Sequence, residues 1–260
     1  MNIFKQFWAW LHKMASPKHF YNISAPFITW FMWLTILFTI AGLYYGLIVA
    51  PMDYQQGDSY RIMFVHVPAA WMSMFIYVVM AVLGAISLVW RIKLADVMIA
   101  SSAPIGAAFT FIALVTGAIW GKPMWGTWWV WDARLTTELI LFFLYLGVIS
   151  LGSAIEDKRI AARAVAILSL VGVINIPIIH YSVQWWNTLH QPSSISVLKG
   201  QSSIHIDMLI PLIIMSFAFK FYYGMVVLKR ARCEVLERER NSRWVQEMVM
   251  PTGKLTSAHS

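Results

Sequence analysis

Six stretches of this chain, at about 26–50, 62–90, 97–120, 135–154, 161–181 and 205–228, are predominantly apolar over some twenty residues or more. Each is long enough to cross a hydrocarbon core about 30 Å thick as a helix. Lipid offers the backbone no hydrogen-bond partner, so only helices or closed barrels can span it. Barrel strands would alternate apolar and polar positions over about ten residues, whereas AVLGAISLVW and AILSLVGVINIPII run on without alternation. The expected fold is therefore all-α: a polytopic membrane protein with six transmembrane helices. Only 12% of the residues are charged, against about a quarter in a soluble domain.

The first twenty residues mix Lys5, Lys13 and Lys18 with isolated aromatics and lack the continuous apolar run of a cleavable signal. Ile3, Phe4, Phe7, Trp8, Leu11 and Met14 recur at helical spacing, the pattern of a short helix lying flat on a membrane surface. Orientation follows from the basic residues. Lys5, Lys13, Lys18, Arg91, Lys93, Lys158, Arg159, Arg163 and the tail beginning KRAR at 229–232 flank one side, and only Arg61, Lys122, Arg134 and Lys199 the other. Both termini are thus expected in the cytoplasm. The chain divides into a cytoplasmic amphipathic N-terminal segment (1–25), a six-helix transmembrane domain (26–228) and a cytoplasmic basic tail (229–260). The net charge of +8 then faces the anionic cytoplasmic leaflet. A nucleic-acid role would need a folded basic domain, and none is visible.

Several chemistries are excluded. The single cysteine, Cys233, permits neither an internal disulfide nor a C-x-x-C redox pair. GAIWGKP at 117–123 is one residue short of a phosphate-binding loop, and Pro123 stands where a magnesium-binding hydroxyl is needed. The chain reads as no enzyme, and any energy coupling must come from a partner.

What remains concentrates on the non-cytoplasmic face. WGTWWVWDAR, 125–134, holds Trp125, Trp128, Trp129 and Trp131 within seven positions, with Asp132 and Arg134 directly after. Interfacial anchoring accounts for single tryptophans, but the density exceeds what an anchor needs. On a helix, Trp125, Trp128, Trp129 and Asp132 would share one stripe, a flat indole platform; Gly126 would let a planar ligand approach it or, the commoner role of a lone glycine, simply make a turn. His66 opens the second span and His190 precedes the sixth. Two imidazoles over an indole platform suit axial coordination of a haem iron, with His180 and His205 as reserves. Arg61, Lys122, Arg134 and Lys199 are the cations available to the propionates.

These residues also carry a resemblance. WGKPMWGTWWVWDARLT (120–136) resembles the tryptophan-rich signature of the WWD haem-handling proteins of cytochrome c biogenesis. DYQQGDSYRIMFVHVPAAW (53–71), APIGAAFTFIALVTGAIW (103–120) and IPIIHYSVQWWNTLHQ (176–191) resemble one branch, the haem exporter protein C (CcmC) family of cytochrome c maturation, over about residues 20–230. That resemblance implies a six-helix bacterial inner-membrane protein with its site in the periplasm. It implies His66 and His190 as axial ligands of haem b. It also implies Trp125, Gly126, Trp128, Trp129, Trp131 and Asp132 as the haem platform; Arg134 and Arg61, from the available cations, are added as further haem-binding residues. The implied partners are a membrane-anchored periplasmic haem chaperone (protein E of the system), an ATP-binding-cassette ATPase and membrane subunit (proteins A and B) and a small single-span protein D.

Two rival readings stand beside haem presentation. A haem-translocating permease would need polar groups along the spans, and Thr110, Thr116, Glu138 and Asn175 are few. A purely structural scaffold would use pairs such as Gly42 and Gly46 for close helix packing. Pro104, Pro177 and Pro211 read as kinks within spans.

Overall fold

The structure is a computed structural model that describes residues 16–191, 195–196 and 201–249. Six helices among them are long and apolar enough to cross a membrane: Pro17–Val49, Asp58–Trp90, Lys93–Trp125, Ala133–Ala154, Lys158–Trp185 and Ile206–Arg238. Each coincides with one of the expected spans. The surface helix expected from Ile3 to Met14, and Lys199, lie outside the described residues.

Helix α1 (Pro17–Tyr44) begins with proline in its first turn, where the missing N–H costs nothing, and widens into a π-turn at Tyr45–Val49. A 3-10 turn at Asp58–Ile62 leads into α2 (Met63–Trp90). Next come α3 (Lys93–Trp125) and α4 (Ala133–Ala154). The fifth span is two rods, α5 (Lys158–Gly172) and α6 (Asn175–Trp185). Pro177 explains the break, because its ring would clash with the carbonyl four residues back, at Val173. The expected kink is thus a full interruption at Val173–Ile174. A two-rung antiparallel ladder, β1 (Ile195–Ser196) with β2 (Gln201–Ser202), precedes α7 (Ile206–Arg238), and α8 (Arg243–Val249) follows. The helix of the sixth span runs on past 228 through the basic segment to Arg238.

Helices α2 and α3 form the central pair, with α7 and then α1 packed on one side, and α4 and α5 on the other. Packing in lipid relies on close approach of small residues, since tails are as apolar as side chains. Gly84 illustrates it: a Cβ there would come within 3.0 Å of the Ala166 carbonyl. Gly42 and Gly46 face Met215 and Phe64 of the same chain, so that pair serves internal packing. The core runs through Met72, Ile76, Tyr77, Met80, Leu141 and Tyr145.

Two smaller clusters define the ends of the bundle. One joins Phe20, Val97, Ala231 and Val235. There Arg232 lies 3.7 Å over the Tyr21 ring and donates to the Tyr21 carbonyl, while Trp244 packs against the same ring. The opposite end joins Ala50, Tyr60, Phe64, Leu212 and Met215, with Trp120 against them. Arg91, Lys93, Lys158 and Arg159 sit at the helix termini of the first end. The tryptophan segment and both candidate histidines belong to the second.

Candidate functional site

Helix α3 ends at Trp125 because Gly126 takes a left-handed conformation, φ +76, and its N–H caps the Lys122 carbonyl at 3.1 Å. Residues 126–132 are consequently not helical, and the indoles do not form the expected stripe. Asp132 then caps α4, its Oδ1 accepting from the Leu135 N–H at 2.8 Å. The four indoles divide instead. Trp125 and Trp129 face a cleft between α2, α3 and α4. Trp128 and Trp131 are 55% and 75% exposed, and Trp131 meets Trp129 edge-on, so no coplanar shelf exists.

The cleft spans about 810 Å³ including its open mouth, and His66, His190, Arg134 and Glu138 all line it. The two histidines, distant in sequence, thus line one space. Their ring chemistry also matches. His66 Nδ1 lies 3.0 Å from the Ala113 carbonyl, an atom that can only accept, so this nitrogen carries the proton. Thr116 Oγ1 is a second acceptor at 3.1 Å, its own hydrogen directed to the Ile112 carbonyl. His190 Nδ1 likewise donates, to the Gln191 carbonyl at 2.8 Å. Both rings are therefore left with Nε2 as the unprotonated nitrogen. Burial, and then the nearby Arg134 guanidinium, hold the His190 imidazole below its usual range. A neutral ring is the form that ligates metal.

Arg134 lines the cleft while Nη1 donates to the Ile179 carbonyl at 2.6 Å, joining α4 to α6. Asn175 adds a second tie through the Thr137 carbonyl at 2.9 Å. Arg61 stays out of the cleft. Its guanidinium pairs with Asp58 at 2.8 Å and donates to the Gly46 and Ala50 carbonyls, pinning the first loop. Gly126 and Asp132 do not line the cleft either. Of the reserves, His180 packs edge-on against Tyr181, and His205 caps α7 beside Asp207, away from the cleft. Lys122 bonds the Gly126 carbonyl at 3.0 Å, under Trp128.

Other lining residues were not among the expected haem-binding residues. Gly117 and Gly121 of α3 leave room for rings: a Cβ at Gly117 would meet His66 at 3.0 Å, and one at Gly121 would meet Trp125 at 2.9 Å. Their four-residue spacing on one helix face, eight and four positions before Trp125, is the signal that could have revealed them. Glu138 is buried in the cleft floor and accepts from Ser73 at 2.7 Å. Gln56 closes the rim by accepting from the Trp120 indole at 2.9 Å. The Trp129 indole N–H is buried with no partner among the described residues.

The sequence pattern of the family described as "Heme exporter protein C" matches residues 10–246. The chain is 51% identical over 247 residues to Heme exporter protein C of Escherichia coli strain K12, covering 95% of this chain and 99% of that one. It is 52% identical over 241 residues to the protein of that name from Haemophilus influenzae, covering 93% and 98%. A putative cytochrome c biosynthesis ccmC-like mitochondrial protein of Marchantia polymorpha is 50% identical over 198 residues, covering 76% and 83%. With a match of that identity running through every span and both walls of the cleft, the chain belongs to the Heme exporter protein C family.

Proposed function

We propose that this protein binds haem b in the cleft through His66 and His190 and presents it, at the periplasmic face of the bacterial inner membrane, to a periplasmic haem chaperone for c-type cytochrome biogenesis. The observation that carries the reading is the matched pair of imidazoles. Each gives Nδ1–H to a main-chain carbonyl, which leaves Nε2 as the unprotonated nitrogen, and both line one cleft. Ligating histidines almost always donate their other ring N–H in this way, which fixes the tautomer and the ring orientation.

The cleft also suits the rest of the cargo. Trp125, Trp129, Met124 and Leu135 offer apolar surface for the macrocycle. Arg134 and the unpartnered Trp129 N–H are donors for a propionate. Basic residues gather at the far end of the bundle, which by the positive-inside rule supports a periplasmic cleft. Trp128 and Trp131, exposed beside the mouth, are available to the chaperone, protein E of the system. ATP hydrolysis then comes from a cassette complex of proteins A and B with the single-span protein D, because this chain has no nucleotide-binding motif of its own.

A haem-translocating permease would need a route past the cleft floor. Deeper in the bundle, Ser73, Tyr77, Met80, Leu141 and Tyr145 are all at 0% exposure, which favours presentation over passage. Purified protein should show a low-spin bis-imidazole haem spectrum, and His66→Ala and His190→Ala should each abolish it. Retention of that spectrum in both single variants would remove the ligand assignment. Unaided haem uptake by vesicles holding only this protein would favour the permease instead.

A further inference from the structure

His66 and His190 are held very differently. His66 sits on a 28-residue helix and is braced by α3. His190 sits on an irregular segment after α6, and its own ring bond reaches only the neighbouring residue's carbonyl. A chain of contacts nonetheless fixes its backbone. The His190 N–H donates to Thr188 Oγ1 at 3.1 Å, and the Thr188 hydroxyl donates in turn to Asp132 Oδ2. The other Asp132 oxygen is committed to the first turn of α4 through the Leu135 N–H. Asp132 is thereby satisfied on both oxygens by protein groups and does not line the cleft.

We infer that Thr188 and Asp132 are positioning residues: the Asp132–Thr188–His190 relay latches the His190 segment onto the N-terminus of α4 and so sets the place of the second imidazole over the cleft. Asp132, the acid of the tryptophan-rich signature, then acts through His190 and makes no contact with the cargo itself. The Thr188 oxygen is both donor and acceptor here, a role that serine can fill and valine cannot. The relay deepens the haem-presentation reading and rests on His190 being a ligand. Its chemical consequence is geometric. A ring whose support is lost still exists but spends less time at the iron, and such outer partners typically change metal affinity about 10- to 100-fold.

The test uses the full chain in detergent or nanodiscs, with haem as probe. Thr188→Val should convert the low-spin six-coordinate spectrum largely to a five-coordinate one and speed haem loss about 10- to 100-fold. Free imidazole should restore the low-spin spectrum, since His66 remains in place. Thr188→Ser should behave as wild type. A readout independent of haem is amide hydrogen exchange of the apo protein over 186–191: the His190 amide should be protected in wild type and Thr188→Ser and exposed in Thr188→Val. Wild-type spectrum, off-rate and exchange in Thr188→Val would overturn the relay. If His190→Ala itself kept the bis-imidazole spectrum, the ligand reading would fall, while the exchange result would still judge the latch alone.

Discussion

At the scale of single residues, the cleft depends on atoms that are missing. Gly117 sits on α3 directly against the His66 ring, with room for hydrogen and for little more. A methyl group there would lie 3.0 Å from His66 Cε1 and 3.5 Å from Nδ1, tighter than packing allows without a shift of a few tenths of an ångström. The Nδ1 bond to Ala113 gives the ring a defined position, so any displacement is felt at the other nitrogen. Gly117→Val should therefore lose the low-spin haem spectrum to about the same extent as His66→Ala, with Gly117→Ala in between, as titration with haem would show. Gly126 is the opposite case. Nothing lies within 4 Å of where its Cβ would be, but φ +76 disfavours an L side chain by roughly 1–2 kcal/mol. One glycine is required by its neighbour, the other by its own backbone.

At the scale of elements, caps and breaks decide where the spans stop. Asp157 caps α5, with Oδ1 accepting from Arg159 N–H at 2.8 Å and Ile160 N–H at 3.1 Å. Those two bonds favour the ionised carboxylate and hold it below its usual range. A depressed carboxyl contributes stability that is fully present above its unfolded value, about 3.9, and is lost as pH falls through the folded one. The melting temperature of Asp157→Ala should thus lie below wild type by a constant margin from pH 5 to 8. That margin should shrink below about pH 4, and Asp157→Asn should keep much of the cap.

The existence of the six spans was legible because a long apolar run leaves the backbone no alternative in lipid. Their ends were not. An apolar window measures hydrocarbon thickness, whereas α3 runs on to Trp125 and α7 to Arg238 with polar and basic residues. The helix-stripe reading of the indoles failed at Gly126, whose turn ends the helix before the stripe can form. His66 and His190 stood out by residue type and family pattern. Thr188 did not, because its importance lies in a contact with Asp132, fifty-six positions away.

At the scale of the whole molecule, the two ends of the bundle are built from different interactions. The cleft end is tied by hydrogen bonds that Arg61 and Arg134 donate to main-chain carbonyls and that Asp132 accepts at the start of α4. The far end is a clasp in which Arg232 covers Tyr21 and reaches Ser24 while Trp244 packs alongside. A cation over an aromatic ring contributes about 0.5–2 kcal/mol. Arg232→Ala should lower the melting temperature by loosening α1 from α7 and leave the haem spectrum unchanged. A change in both would show that the ends are coupled through the helices.

The unequal support of the two imidazoles has a kinetic consequence. A gripping site with one fixed jaw and one hinged jaw opens in a set order. Bending α2 disturbs a whole packed helix, whereas freeing residues 188–190 breaks only a few local bonds, and segments with few such bonds open at least cost. On the proposed reading, cargo held by both would be let go on the hinged side first, leaving His66 to retain it while a recipient engages.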